Sequence, residues 1–549
     1  VSTEQNGTCI ELGTSAYIEY TDEIAAYITS GGFLATHDDG KQYVHGSFVQ
    51  AARNDSNKTA VLLNDYEGTI SINSEESLTL DLNGHTVTGN STAVIRANTN
   101  NATLNIKNGT MVSANGTGAE VGIPSNVGIG DPIVYNNVTL NLENVDLTAN
   151  GSDADDYGIV TNGTSTGIHI NLKGGSVTAT NSIGIYFPPA DSTLTIDGTK
   201  ITGTTGVAVK GGEVTISGNA EITGTGVASD PDQGADGGVN DTGAAVYVEG
   251  NYNREVSVKI TGGTFTSEQG TAVQMLEDLS ATGEKEIVIT GGTYSQKPDD
   301  SFIAPGLGTV ADGSGNFVIE KLENVYVDGA NGNDANTGAD TEHAVKTLEH
   351  ALNLVADDGV IYICDTVTVD SDLTVTEAVI QRAEDFTGRL ISVTGEDTEL
   401  ILAGTTIDGQ KGTEKKVSYL VYVGDGATVN MEDGTSLVNN NETAVYVDNG
   451  GAFTMEGGEI SGNTGSVWAG GIQNCGGTVN LKGGEIKNNT AYQGGGVVTA
   501  YGGTTVLDGA SITGNTAEKD GGGVYVQGAT SGTSVFEMRS GTISGNNSS

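Results

Sequence analysis

Gly494-Gly-Gly-Val-Val-Thr-Ala-Tyr-Gly-Gly-Thr-Thr-Val-Leu-Asp-Gly-Ala-Ser-Ile-Thr-Gly-Asn515 carries three short apolar runs between glycine corners. Residues 497–500, 505–507 and 511–513 each read as a strand too short to stand alone. Three such strands with glycine turns form one coil of a solenoid. Each strand then lies parallel to its equivalent in the next coil, roughly 4.8 Å away. The closing phrase of this unit recurs as Ile460-Ser-Gly-Asn463, Ile486-Lys-Asn-Asn489, Ile512-Thr-Gly-Asn515 and Ile543-Ser-Gly-Asn546, with steps of 26, 26 and 31 residues. A repeat in this range signals stacked coils rather than an ordinary globular core.

In such a stack Asn463, Asn489, Asn515 and Asn546 share one phase, and Asn440 joins them at the same offset from Leu437. Their amides are expected to hydrogen-bond along the stack as a turn ladder. A polar ligand-binding stripe is the other reading of the row.

The first half follows the same grammar. Alternating strands that begin at Leu78, Leu104, Leu140, Ile170, Leu194, Val214, Val258 and Ile287 are bounded by Gly, Asn, Asp and Ser. Their spacing is uneven, so loops of different length protrude, and loops are where binding residues sit. The expected fold is all-β: a right-handed parallel β-helix solenoid in two consecutive segments. Residues 1–67 form a small mixed α/β cap with helical pieces over 19–28 and 48–53. Residues 68–320 form the first segment with a closing element. Residues 321–549 form the second, which is expected to continue beyond Ser549.

Composition agrees. Glycine supplies 83 of 549 residues and proline only 7. The aromatic share of 5% suits a thin core of Val, Ile, Leu and Thr. A net charge of −47 disfavours nucleic acid and anionic membranes, which attract Lys and Arg. It suits a solvated surface that resists self-association. The cysteines at 9, 364 and 475 have neither disulfide-framework nor zinc spacing, and Cys364 is expected to be a buried small hydrophobe. No stretch is long and apolar enough to span a membrane.

At Val325 the text restarts with a strand, an Asn/Asp/Gly loop, an amphipathic helix over 344–355 and the strand Gly359-Val-Ile-Tyr-Ile363. This order resembles the opening of right-handed parallel β-helix domains of the pectate-lyase-like superfamily. The later Gly-Gly-Gly-Val-Tyr and Ile-x-x-Asn phrases resemble repeats of adhesin-like surface proteins from anaerobic bacteria and methanogens. They are also similar to repeats of polymorphic outer-membrane proteins, which prefer Phe where this chain has Ile. Residues 291–319 look like the closing element of β-helix modules in Gram-positive surface proteins. The resemblance implies a fold more than an activity, because one fold hosts many functions.

It implies a secreted or cell-surface, wall-attached bacterial protein. Such an adhesin-like scaffold would bind an extracellular glycan or a host or microbial surface protein. A carbohydrate-active enzyme, either glycoside hydrolase or polysaccharide lyase, is the alternative. A third reading is a filament or surface-layer subunit that self-associates through open solenoid ends.

The long insertion over 224–243 is the expected cleft, with Asp230, Asp232, Asp236 and nearby Tyr247 as ligand-binding residues. A glycosidase would need two carboxylates across such a cleft. No Ser-His-Asp order, phosphate loop or HExxH motif is present, and no catalytic residue is singled out. Asp328, Asn331, Asn333 and Asp334, with Asn336, crowd oxygen ligands of the kind Ca²⁺ prefers into one glycine-rich loop. An Asx-rich turn is the plainer reading of that loop.

Overall fold

The computed structural model describes residues 10, 12–28, 31–89, 92–124, 134–227, 242–250, 253–276, 282–304, 306–411, 417–528 and 532–549. The chain is a parallel β-solenoid in two compact units. One comprises Val1–Ala304 with Thr309–Glu320, the other Pro305–Gly308 with Lys321–Ser549. Among the described residues no helix is long and apolar enough to cross a membrane.

The first unit opens with antiparallel strands. Tyr17–Glu19 and Phe33–Thr36 both pair with Gln42–His45, and Phe33–Thr36 also pairs with Thr59–Leu62. The expected first helix is only the single turn Asp22–Ala25. The second, Phe48–Asn54, buries Phe48, Ala51 and Ala52. Thr59–Leu62 then pairs in parallel with Ser77–Asp81, and the stack begins.

From there the apolar alternation sets the register. Leu78 lies beside Leu104, then Leu140, Ile170, Leu194, Val214, Val258 and Ile287, each pair directly opposed in a parallel ladder. All eight are buried. Burying each contributes about 1.5–3 kcal/mol, and slipping one strand by a single residue would turn its apolar row outward. The unit closes with Phe317–Glu320, which pairs antiparallel to Thr293–Tyr294.

The second unit stacks 14-, 7- and 4-stranded sheets among its described residues. Leu437, Ile460, Ile486, Ile512 and Ile543 are register partners. The asparagines form the expected ladder. Asn463, Asn489 and Asn515 each donate their backbone N–H to the Oδ1 of the asparagine one coil on, at 2.9–3.0 Å. Their Nδ2 groups bond that same Oδ1 and a carbonyl one coil back, Leu437, Ile460 and Ile486 in turn. Asn440 through Asn515 are buried, so the ladder is internal and offers no stripe to a ligand.

The residue before each ladder asparagine has positive φ: Asn439 54°, Gly462 69°, Asn488 55°, Gly514 65° and Gly545 65°. The left-handed region admits Gly and Asn most readily. That explains why the third position of the phrase is always one of the two.

The ladder ends on a cation. Arg382 is 4% exposed. Its Nη2 donates to Asn440 Oδ1 at 3.2 Å and to Ser418 O at 3.1 Å, while Nη1 donates to Gly388 O. Burial lowers its pKa to about 10, so it stays charged at neutral pH.

Candidate functional site

Asp230, Asp232 and Asp236 lie outside the described residues. Tyr247 sits on the strand Val246–Glu249 and is fully buried against Tyr157, Ile183, Ala208 and Leu276, so its ring presents no open face. The Asn/Asp loop is held by backbone N–H groups. Asp328 Oδ1 accepts from Ala330 and Asn331, and Asn333 Oδ1 accepts from Ala335. Asp334 Oδ1 accepts from the N–H of Lys346 and Thr347, and its Oδ2 accepts from the Thr347 hydroxyl. Asn336 donates its amide to Ala344 O.

These bonds make Asx turns that tie the loop to the next helix. They engage Asp328 Oδ1, Asn333 Oδ1 and both Asp334 oxygens, so the Asx-turn reading accounts for these side chains without an ion. Among the described residues no group of three or more His, Cys, Asp or Glu side chains could hold a metal ion. The helix itself is Leu348–Leu354, shorter than the pattern suggests. Val345 is bridged to Val327 instead, and Thr347 caps the helix by accepting from the His350 N–H.

A groove lies elsewhere in the second unit. Tyr326, Tyr362, Gln381 and Asp408 are register partners on successive strands and form one outward row. The rings of Tyr326 and Tyr362 stack at 5.3 Å with an interplanar angle of 20°. One cavity of about 710 Å³ is lined by Tyr362, Gln381, Glu384, Asp408, Gln410 and Lys411 among others. A second, of about 590 Å³, is lined by Tyr326, Tyr362, Cys364, Glu384 and Phe386 among others. Both share Tyr362, Ala383 and Glu384, so they form one continuous groove.

No protein-family profile matches the chain, and no curated protein matches its sequence.

Asp408 Oδ1 accepts from the Gln410 N–H at 2.8 Å, which fixes the carboxylate in the groove. Lys411 donates to Gly462 O at 3.0 Å and to the Thr464 hydroxyl. Cys364 is half-buried rather than a core residue, because its side chain borders the groove. Burial, aided by the Asp328 carboxylate, pushes its thiol up to about 11. It stays protonated at neutral pH and is a poor nucleophile.

The groove thus combines a stacked tyrosine pair, the three amides of Gln381, Gln410 and Asn439, the three carboxylates of Glu384, Asp385 and Asp408, and the Lys411 ammonium group. It offers one apolar platform with several hydrogen-bonding groups around it. The sequence showed the alternation that makes these residues outward-facing. It did not show that Tyr326, Tyr362, Gln381 and Asp408 share one row, because strand register joins residues 19 to 36 positions apart.

Proposed function

We propose that this chain is an adhesin-like β-solenoid, secreted or held at a bacterial cell surface, that binds an extracellular glycan in the Tyr326–Tyr362–Asp408 groove. The observation that carries the reading is the stacked tyrosine pair with Gln381, Glu384 and Asp408 on the same groove. A pyranose lays its apolar face on such rings and bonds its hydroxyls to amides and carboxylates. The net charge of −47 favours neutral over polyanionic glycans. The resemblance of the repeat phrases to adhesin-like surface proteins supports the location.

The test is a glycan array probed with the intact chain and with Tyr362→Ala. Binding to neutral glycans that weakens about tenfold in the variant, with melting unchanged, supports the reading. Silence across the array for the intact chain sinks it.

A carbohydrate-active enzyme is the second reading, favoured by Glu384 and Asp408 lining one cavity. Products released from a glycan panel by the intact chain, and lost in Asp408→Asn, would favour it. Glycans recovered unchanged would count against it.

A further inference from the structure

A second groove, on another sheet of the second unit, shares no lining residue with the first. Tyr422, Tyr446 and Gln473 are register partners on neighbouring strands of the seven-stranded sheet. Tyr446 stacks on Tyr419 at 4.7 Å and on Tyr422 at 5.6 Å. This face already holds one cation against a ring, with Arg389 Cζ 3.9 Å from the Tyr422 ring centroid. Beside it lies a groove of about 410 Å³ lined by Ser418, Tyr419, Glu442, Ser466, Trp468 and Gln473 among others.

Glu442 is 9% exposed. Its Oε1 accepts from the N–H of Ser466 at 3.1 Å and of Thr443 at 3.2 Å, and its Oε2 accepts from the Ser466 hydroxyl at 2.7 Å. These neutral donors orient the carboxylate, and among the described residues no Lys, Arg or His forms an ion pair with it. Arg389 lies on the same face and acts with Glu442 on Tyr419, but it forms no ion pair with the carboxylate, so a cation entering the groove would be the carboxylate's first direct ionic partner.

The walls narrow the kind of cation. Hard metal ions need several oxygen ligands, and no group of three acidic, His or Cys side chains is available among the described residues. Aromatic faces attract organic cations, and quaternary ammonium ligands are recognised in this way. We propose that the Tyr419–Glu442–Trp468 groove binds an organic ammonium group. Glu442 would supply the counter-charge and the Tyr419 and Trp468 rings would supply cation–π contact. Gln473 and Ser418 would bond the rest of the ligand. The site stands independently of the glycan groove.

Trp468 is the single tryptophan of the chain, so its emission reports this groove alone. The full chain is titrated with tetramethylammonium chloride, glucosamine and N-acetylglucosamine at constant ionic strength. A saturable change with either ammonium compound, and none with the neutral amide sugar, is expected. The tighter of the two tells a quaternary head group from a protonated amine. Glu442→Gln, which keeps an acceptor for Ser466, is expected to weaken binding about tenfold or more. If that variant does not fold, Tyr419→Leu serves: it keeps the carboxylate, removes one ring and should also lose affinity. No saturable response to either ammonium compound would overturn the proposal. So would an equal response to N-acetylglucosamine, or unchanged affinity in the folded variants.

Discussion

The Oδ1 of Asn489 accepts both the backbone N–H and the side-chain amide of Asn463, each at 3.0 Å. One buried atom therefore satisfies two donors from the adjacent coil. In Asn489→Ala the Asn463 N–H loses its partner inside the core, the Asn463 amide keeps only Leu437 O, and Ile460 O loses the Asn489 amide. We expect a loss of ~3 kcal/mol in urea unfolding, since each orphaned buried group costs about 1–3 kcal/mol. Ser461→Ala, two residues before Asn463 on an outward-facing position, is the control. Equal costs for the two would refute a stabilising ladder.

Asn488, at φ 55°, tests the backbone requirement next to the ladder. Asn488→Gly should be close to neutral. Asn488→Val should cost about 1–2 kcal/mol, the penalty for a side chain forced into the left-handed region. A valine variant as stable as the parent would show that the turn has another conformation available.

Asp334 makes stability depend on pH. Burial works to raise its pKa, but the N–H groups of Thr347 and Lys346 and the Thr347 hydroxyl outweigh it, holding the carboxyl below 3.8. A depressed folded pKa contributes stability that is fully present above the unfolded value and lost as pH falls through the folded one. Acid titration of the intact chain should lose this contribution below about pH 4. Asp334→Asn should flatten that part of the curve. Adding a chelator at neutral pH should leave the melting midpoint of the parent unchanged, whereas a drop would restore the case for a bound ion.

Cys364 offers a chemical readout. Its thiol is raised to about 11, so the thiolate is scarce at neutral pH. Alkylation by iodoacetamide, followed at this residue by mass spectrometry, should be slow at neutral pH and accelerate steeply toward pH 11. Fast labelling at neutral pH would mean that the groove lowers the thiol pKa instead.

The sequence was most legible where physics acts along the chain. Alternation from Leu78 to Ile287 and the phrase from Ile460 to Ile543 set strand, face and register, and the parallel ladders follow them. The ladder was readable because Asn is both a turn residue and a stacking one. The sites were not readable in this way. Tyr326 and Tyr362, or Tyr419 and Trp468, meet only through coil stacking, and their separations vary with loop length. The helix is shorter than the 344–355 pattern because Val345 satisfies a helical pattern and a bridge to Val327 equally well. Arg382 at the ladder's end gave no signal, since a lone arginine in sequence carries no sign that it is buried.

The asparagine phrase also bears on how such a chain is inherited. Each coil from Asn440 onward passes the same backbone N–H bond to the next asparagine, at steps of 23, 26, 26 and 31 residues. An in-frame duplication or deletion of one unit would find its hydrogen-bond partners already waiting on both sides. Unequal recombination could then change the number of coils in one event while leaving the chemistry of every junction unchanged.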